Sequence, residues 1–326
     1  MDVLLKIENL KMYFPLRTVL IRHKEFVRAV DGVNLEIHQE ETLGLVGESG
    51  SGKSTIGRCI VRLLDPTEGK IWYRGSDITG LSRKALRPLR KSVSIIFQDP
   101  YSALNPRMTV GEIIGDGLKH NSGMSSREVK ERVQIVMEKV GLLPEHYSRY
   151  PHEFSGGQRQ RVGVARSIAS HPDLIVADEP TSALDVSIQA QVINLLEQLK
   201  EEFQLSYLFI SHDLNVVEHV SDRIAVMYLG KIVEFAPKDQ LYDNPKHPYT
   251  IALLSAIPIP QVNRKRQRII LKGDLPSPIN PPSGCRFHTR CPNRFEPCDQ
   301  IEPQLMEATS GHMVACHLHT GSANLI

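Results

Sequence analysis

A mixed α/β fold on a mainly parallel sheet is predicted by three features of the sequence. Four short runs are apolar without alternation: Leu43 to Val46, Val93 to Phe97, Leu174 to Ala177 and Tyr207 to Ile210. Strands covered on both faces read this way. Between the runs, apolar residues recur at helix spacing: Ile56, Cys59, Ile60, Leu63 and Leu64 after the first, and Ile188, Val192, Leu195, Leu196 and Leu199 before the last. Each run is followed at once by residues suited to phosphate chemistry, namely Gly47, Gln98, Asp178-Glu179 and His212. Open α/β sheets bind ligands beyond the carboxyl ends of their strands, so these four segments point at one crevice.

The chain has 326 residues, 41% hydrophobic and 23% charged, enough to bury a sizeable core in one large domain or two. A disordered tail or a mini-scaffold is excluded. With 39 Lys and Arg against 37 Asp and Glu the formal charge is +2, which gives no sequence-wide electrostatic basis for binding nucleic acid. Apolar runs such as Ile251 to Ile257 fall short of the roughly 20 residues that span a bilayer. The first residues show no basic region leading into an apolar stretch, so the expectation is a cytoplasmic protein without a secretory leader. The segment between Gln98 and the third run is helical in pattern, notably Ser126 to Val140, and predicts an inserted helical subdomain at about 99–170. After Pro237 the prolines multiply, at Pro245, Pro248, Pro276, Pro278, Pro281 and Pro282, which marks a loop-rich appendage. The expected division is therefore 1–236 and 237–326.

Gly47-Glu48-Ser49-Gly50-Ser51-Gly52-Lys53-Ser54 follows a strand and opens a helix, the context that identifies a phosphate-binding P-loop. Its backbone N–H groups and the helix N-terminus offer positive charge to phosphates; Lys53 reaches the β- and γ-groups and the Ser54 hydroxyl binds Mg²⁺. Asp178, ending an apolar strand, is placed to hold Mg²⁺ through water, and Glu179 to polarise an attacking water. Ser155, with Gln158 three residues on, has the pattern of a helix capping box, and Gly156 and Gly157 permit close backbone approach.

Phe154-Ser155-Gly156-Gly157-Gln158, with the P-loop, Gln98, Asp178-Glu179, Ser182-Ala183-Leu184-Asp185 and His212, resembles the ABC-transporter ATPase family in content and order. The likeness covers about the first 235 residues. Phe154 stands where the family usually has Leu and keeps the apolar anchor. The resemblance implies a P-loop NTPase of ABC type, with an N-terminal antiparallel β part, an inserted helical subdomain and a small Cys-rich C-terminal extension. It also implies ATP and Mg²⁺ as ligands, with ATP held by Gly47, Ser49, Gly50, Gly52, Lys53, Ser54 and Thr55, and Mg²⁺ by Ser54, Gln98 and Asp178. Two such subunits would sandwich two ATP molecules head to tail. Ser155, Gly156, Gly157 and Gln158 would then serve the nucleotide bound by the partner, with Asp185 in the adjoining loop. His212 would contact the γ-phosphate, and Gln98 would sense water or Mg²⁺. An aromatic residue near the N-terminus would stack on adenine, Phe14 by its offset from Asn9, with Tyr13 the alternative.

His247-Pro248-Tyr249-Thr250 and Cys285 to Pro292 resemble the C-terminal extension of oligopeptide/dipeptide importer ATPases, and Ile96 to Met108 looks more like the F-type than the D-type subunit. The resemblance implies a heterodimer with a D-type ATPase subunit, two transmembrane permease subunits, an extracytoplasmic peptide-binding protein, and a peripheral place on the cytoplasmic face of the membrane. Cys285, Cys291, Cys298 and Cys316 leave gaps of five, six and seventeen residues, unlike the paired spacing of structural zinc knuckles. Four thiols without knuckles favour a [4Fe–4S] cluster, which the resemblance also implies, holding together an appendage expected to lack a core. Zinc and four unliganded thiols are the alternatives, and His288, His312, His317 or His319 could replace a cysteine ligand. Arg264-Lys265-Arg266 with Arg268 reads as a solvated basic face, or as a contact to anionic lipid. A soluble ABC ATPase acting on nucleic acid or ribosomes is the competing functional class. A regulatory protein that binds without hydrolysing is a third, and the intact Glu179 argues against it.

Overall fold

Residues 2–16, 25–121, 123–257 and 269–319 are described by the structure, a computed structural model. The chain opens with two long strands, β1 (Val3–Pro15) and β2 (Phe26–His38), whose side chains alternate between buried and partly exposed over much of their length. That one-sided alternation suits antiparallel pairing with one face toward solvent. After β3 (Thr42–Val46) and α1 (Lys53–Ile60) come β4 (Glu68–Tyr73) and the two-residue β5 (Ser76–Asp77). The order β2-β1-β4-β5 forms a four-stranded antiparallel sheet, the N-terminal β part foreseen above. Helix α1 is shorter than its apolar pattern predicts. Arg62 takes a left-handed φ of 57° and the chain leaves the helix there, which leaves Leu63 57% exposed.

A short α2 (Leu89–Ser92) leads into β6 (Val93–Ile96). The inserted helices follow: α3 (Pro100–Ala103), α4 (Val110–Asn121), α5 (Ser126–Lys139) and α6 (Gly156–Ile168). Ser125 and Glu128 exchange bonds in a capping box that starts α5, where Val129, Val133, Val136 and Met137 turn inward. The chain then returns through β7 (Leu174–Asp178), α7 (Val186–Phe203), β8 (Ser206–Ser211), α8 (Leu214–Val220), β9 (Arg223–Tyr228) and β10 (Lys231–Pro237). Beyond these lie α9 (Lys238–Asp243), α10 (Pro248–Ser255), β11 (Met306–Thr309) and β12 (His312–Val314).

The large sheet runs β11-β12-β10-β9-β3-β8-β7-β6, with β9-β3-β8-β7-β6 parallel and the three strands at the other edge antiparallel. The continuous apolar runs divide between its two faces by alternate residues. Leu174, Val176, Leu208 and Ile210 pack beneath the N-terminal sheet with α1, whereas Ile175, Ala177, Tyr207 and Phe209 pack with the inserted helices and α7. Each fully buried Leu, Ile or Phe removes apolar surface worth about 1.5–3 kcal/mol, which explains why these strands carry no polar face.

The appendage is not poor in core, contrary to the expectation from its prolines. Tyr249, Leu254 and Phe287 enter the same apolar cluster as Val46 and Tyr228, and Phe287 meets the Tyr228 ring edge-on at 5.2 Å. The extension also adds β12 to β10, where His312 Nε2 lies 2.6 Å from Glu234 Oε1 with both side chains buried. Glu234 further accepts from the Lys246 and His247 N–H groups at 2.6 and 3.0 Å. Burial opposes its charge, but these partners outweigh burial and hold its carboxyl below the usual glutamate range. The basic run 264–268 lies outside the described residues. No helix among the described residues is long and apolar enough to cross a membrane.

Glu234→Ala removes a buried acceptor from three donors, so it should lower unfolding stability by about 3 kcal/mol. Chemical denaturation would read that loss, and limited proteolysis should cut first between Met306 and Val314.

Candidate functional site

Strands β3, β8, β7 and β6 are neighbours running the same way, so the segments leaving their carboxyl ends meet along one edge. From β3 comes the glycine-rich turn into α1. Gly47 has φ 151°, and a Cβ there would lie 2.1 Å from the Met227 carbonyl oxygen, so backbone of this curvature passes only without a side chain. The turn opens onto a cleft of about 490 Å³ bordered by Ser49, Gly50, Gly52, Lys53, Ser54 and Thr55 on one side and by Gln98, Glu179 and His212 on the other. Ala29 of β2 completes the wall. No motif marked Ala29; its place follows from how the N-terminal sheet lies over the turn.

Lys53 is nearly buried and its ammonium donates to the carbonyls of Gly47 and Glu48 at 2.7 and 3.0 Å. Burial lowers its pKa, against the pull of Glu179, Asp178 and Glu48. An incoming polyanion would give this cation its missing partner. Ser54 Oγ donates to Asp178 Oδ1 at 2.7 Å. Asp178 is 1% exposed, and burial raises its pKa despite the Ser54 bond. Two hard oxygen donors, one a desolvated carboxylate, fit a Mg²⁺ ion that keeps most of its water.

Glu179 follows in a left-handed conformation, φ 47°, which costs a non-glycine residue on the order of 1–2 kcal/mol. Its N–H is fixed to the Ile210 carbonyl at 2.9 Å. The strained turn brings the carboxylate between two neighbours: Gln98 Nε2 donates to Glu179 Oε2 at 2.9 Å, and His212 Nδ1 lies 3.2 Å from the same oxygen. Three residues from three strand ends thus converge on one carboxylate oxygen at the cleft.

Ser155, Gly156, Gly157 and Gln158 do not line this cleft. Ser155 caps α6, its Oγ accepting from the Gln158 N–H while Gln158 Oε1 accepts from the Ser155 N–H. A Cβ on Gly157 would stand 2.6 Å from Ile188 Cγ2, so the start of α6 lies directly against α7. Asp185, at the head of α7, is exposed, as are Ser155 and Gly156. Beneath them Phe154 is buried, edge-on to His146 at 5.0 Å. Phe14 stands opposite Val27 in the N-terminal sheet, packed on its core, and is not among the residues bordering the cleft; Tyr13 bonds through its hydroxyl to Asp31.

The expectation of a metal centre in the extension is not met as a preformed cage. Among the described residues no three His, Cys, Asp or Glu side chains stand close enough to share an ion. Cys285 and Cys291 instead pack against the apolar core, and burial pushes the Cys285 and Cys316 thiols up to about 11. Two of the four cysteines are joined through the backbone, where the Cys285 N–H donates to the Cys298 carbonyl at 2.8 Å. None is in a disulfide. As a donor set they suit a soft metal centre. Cys59 lies elsewhere, buried in α1.

The extension also touches the phosphate-loop turn, which no sequence signal revealed. The Glu48 N–H donates to the Tyr249 hydroxyl at 2.8 Å, and Arg290 Nη1 donates to Glu48 Oε2 at 2.9 Å.

Comparison with known proteins agrees with this geometry. The ABC transporter family profile matches residues 30–182, and the profile of the oligopeptide/dipeptide transporter C-terminal region matches 233–298. The oligopeptide transport ATP-binding protein AppF of Bacillus subtilis is 54% identical over 323 residues, covering 98% of each chain. The dipeptide transport ATP-binding protein DppF of Escherichia coli is 49% identical over 313 residues, 96% of this chain and 93% of the relative. Among solved structures, the dimeric post-hydrolysis state of the ATP-binding cassette MJ0796 bound to ADP and Pi superposes with a TM-score of 0.64 at 29% identity. It covers 72% of this chain and 98% of the cassette. CbiO1 from Clostridium perfringens also gives 0.64, at 26% identity, over 75% of this chain and 92% of its own.

Removing the ring under the α6 cap leaves a cavity, so Phe154→Ala should lower stability by about 3–5 kcal/mol, read by denaturant unfolding.

Proposed function

The chain belongs to the ABC transporter ATP-binding family, and from that premise we propose that it is the ATP-hydrolysing subunit that powers a dipeptide or oligopeptide importer. One observation carries the reading: the Glu179 carboxylate, held by Gln98 and His212, shares a single cleft with Lys53 and Ser54, the latter bonded to Asp178. A carboxylate in this position accepts a proton from a water attacking the γ-phosphate. His212 is placed to contact that phosphate, and Gln98 to register the water and the metal. Lys53 exchanges its two carbonyl partners for the β- and γ-phosphates, while the N–H groups of the loop and the start of α1 hold the remaining oxygens. Mg²⁺, when bound, neutralises charge on the phosphates, and Ser54, Asp178 and Gln98 are the residues that would hold it. Phe14 remains the candidate for adenine.

The exposed cap of α6 suits the head-to-tail arrangement. Ser155, Gly156, Gly157 and Gln158, with Asp185 beside them, are available to a nucleotide held by another subunit, and neither site is complete alone. We assign that place to a D-type ATPase subunit of the same importer. Two permease subunits would bind the pair at the cytoplasmic face of the membrane, and an extracytoplasmic binding protein would select the peptide. Residues 1–236 form the nucleotide-binding part and 237–326 the importer-specific extension. For Cys285, Cys291, Cys298 and Cys316 we retain a [4Fe–4S] cluster, with Zn²⁺ the alternative; four thiols outside any disulfide in one short extension support it.

Glu179→Gln should retain ATP binding and cut hydrolysis by about 100-fold or more, whereas Lys53→Ala should lose nucleotide affinity. Turnover unchanged in Glu179→Gln would overturn the hydrolytic assignment. For the cysteines, anaerobically purified protein should contain about four iron and four acid-labile sulfide per chain. Zinc alone would favour the alternative, and neither metal would leave the thiols unliganded.

A further inference from the structure

The phosphate loop is short of side chains that could brace it, and the structure shows where its support comes from. Three polar groups of Glu48 are engaged. Its carbonyl accepts from Lys53 at 3.0 Å, its N–H donates to the Tyr249 hydroxyl at 2.8 Å, and its carboxylate accepts from Arg290 at 2.9 Å. The last two partners lie in the C-terminal extension, more than 200 residues away in sequence. Tyr249 is fully buried, wedged against Tyr228 at 4.7 Å and Phe287 at 5.4 Å, so its hydroxyl is a rigid acceptor. The Arg290 side chain is 10% exposed. A second strut runs through Arg286, which bonds to Asp31 and to the Leu229 carbonyl, while the neighbouring Gly230 N–H donates to the Ser51 carbonyl at 2.9 Å.

We propose that Arg290 and Tyr249 are positioning residues for ATP binding, holding the second residue of the phosphate loop so that the loop keeps its phosphate-receiving curvature. The proposal rests on the reading of the cleft as an ATP site. When Lys53 turns to the phosphates, the Glu48 carbonyl keeps only the Ser51 N–H, at 3.2 Å; the grip of Tyr249 and Arg290 on the other two groups of Glu48 then keeps the loop in place. Neither residue reaches Glu179, Gln98 or His212, so their loss acts on nucleotide binding ahead of the chemical step.

The test is a double-mutant cycle in the full-length chain, with Glu48→Gln, Arg290→Met and the two combined, followed by ATP titration calorimetry and steady-state hydrolysis. Arg290→Met and Glu48→Gln should each raise Kd and KM for ATP about tenfold, with kcat changed less than about twofold. The double variant should be no worse than either single, because both remove one interaction. Arg290→Lys should recover most of the affinity. Tyr249→Phe keeps the aromatic packing and lies outside the cysteine segment; it should raise Kd about threefold at an unchanged thermal midpoint. Unchanged Kd in Arg290→Met and Tyr249→Phe, additive effects in the double variant, or a fall in kcat at constant KM would each overturn the proposal. If the unaltered chain failed to bind ATP, the functional reading would fall and this inference with it. If the unaltered chain binds and the variants bind as tightly, this inference alone falls.

Discussion

Everything at the phosphate end of the molecule depends on β3, β8, β7 and β6 lying side by side in parallel with both faces covered. Parallel strands release their connections at one edge, and burial on both faces stops them from slipping, since a one-residue shift would exchange the two cores. Val176 would move from beneath the N-terminal sheet to the side of the inserted helices, and Ala177 the other way. Register therefore fixes the distance between Gln98, Glu179 and His212 more firmly than any bond among them. The hydrogen bonds at 2.9 and 3.2 Å are the outcome of that alignment rather than its cause.

Much of this was legible in the sequence because it is local. A strand buried on both faces announces itself by an unbroken apolar run, and Leu174 to Ala177 or Tyr207 to Ile210 needed no partner to be recognised. The turn from Gly47 to Ser54 is equally self-contained, as is the Ser155–Gln158 cap, whose two bonds form within one helical turn. Contacts made by packing distant segments leave no such trace. Nothing around Tyr249 or Arg290 shows that they meet Glu48, and the many prolines of the extension hid the burial of Tyr249 and Phe287. Helix spacing also overran at Leu63, where the left-handed turn at Arg62 ended the helix that the pattern continued.

The cysteines illustrate a different limit. Their spacing speaks to donor chemistry, but their distances depend on a loop that also packs on the core. Cys285 and Cys291 pack as small apolar groups against the core, and burial moves the Cys285 and Cys316 thiols further from ionisation. A soft metal held by these four thiols would bind them as thiolates, so its affinity would fall as the pH falls. The aromatic core and the Glu234–His312 pair seat the extension on the rest of the fold.

The hairpin of β11 and β12 gives the large sheet a different kind of protection. Without it β10 would be the terminal strand, seven residues long and bearing Ile232, Val233 and Phe235 with one row of backbone donors and acceptors unpaired. Such an edge is a template for adding strands from other molecules. The hairpin replaces it with a four-residue margin, Met306–Thr309, most of whose side chains are exposed and which carries Glu307. Removing the extension would bare β10 as such an edge, so a shortened chain would be exposed to strand addition from other molecules as well as to any defect in nucleotide handling.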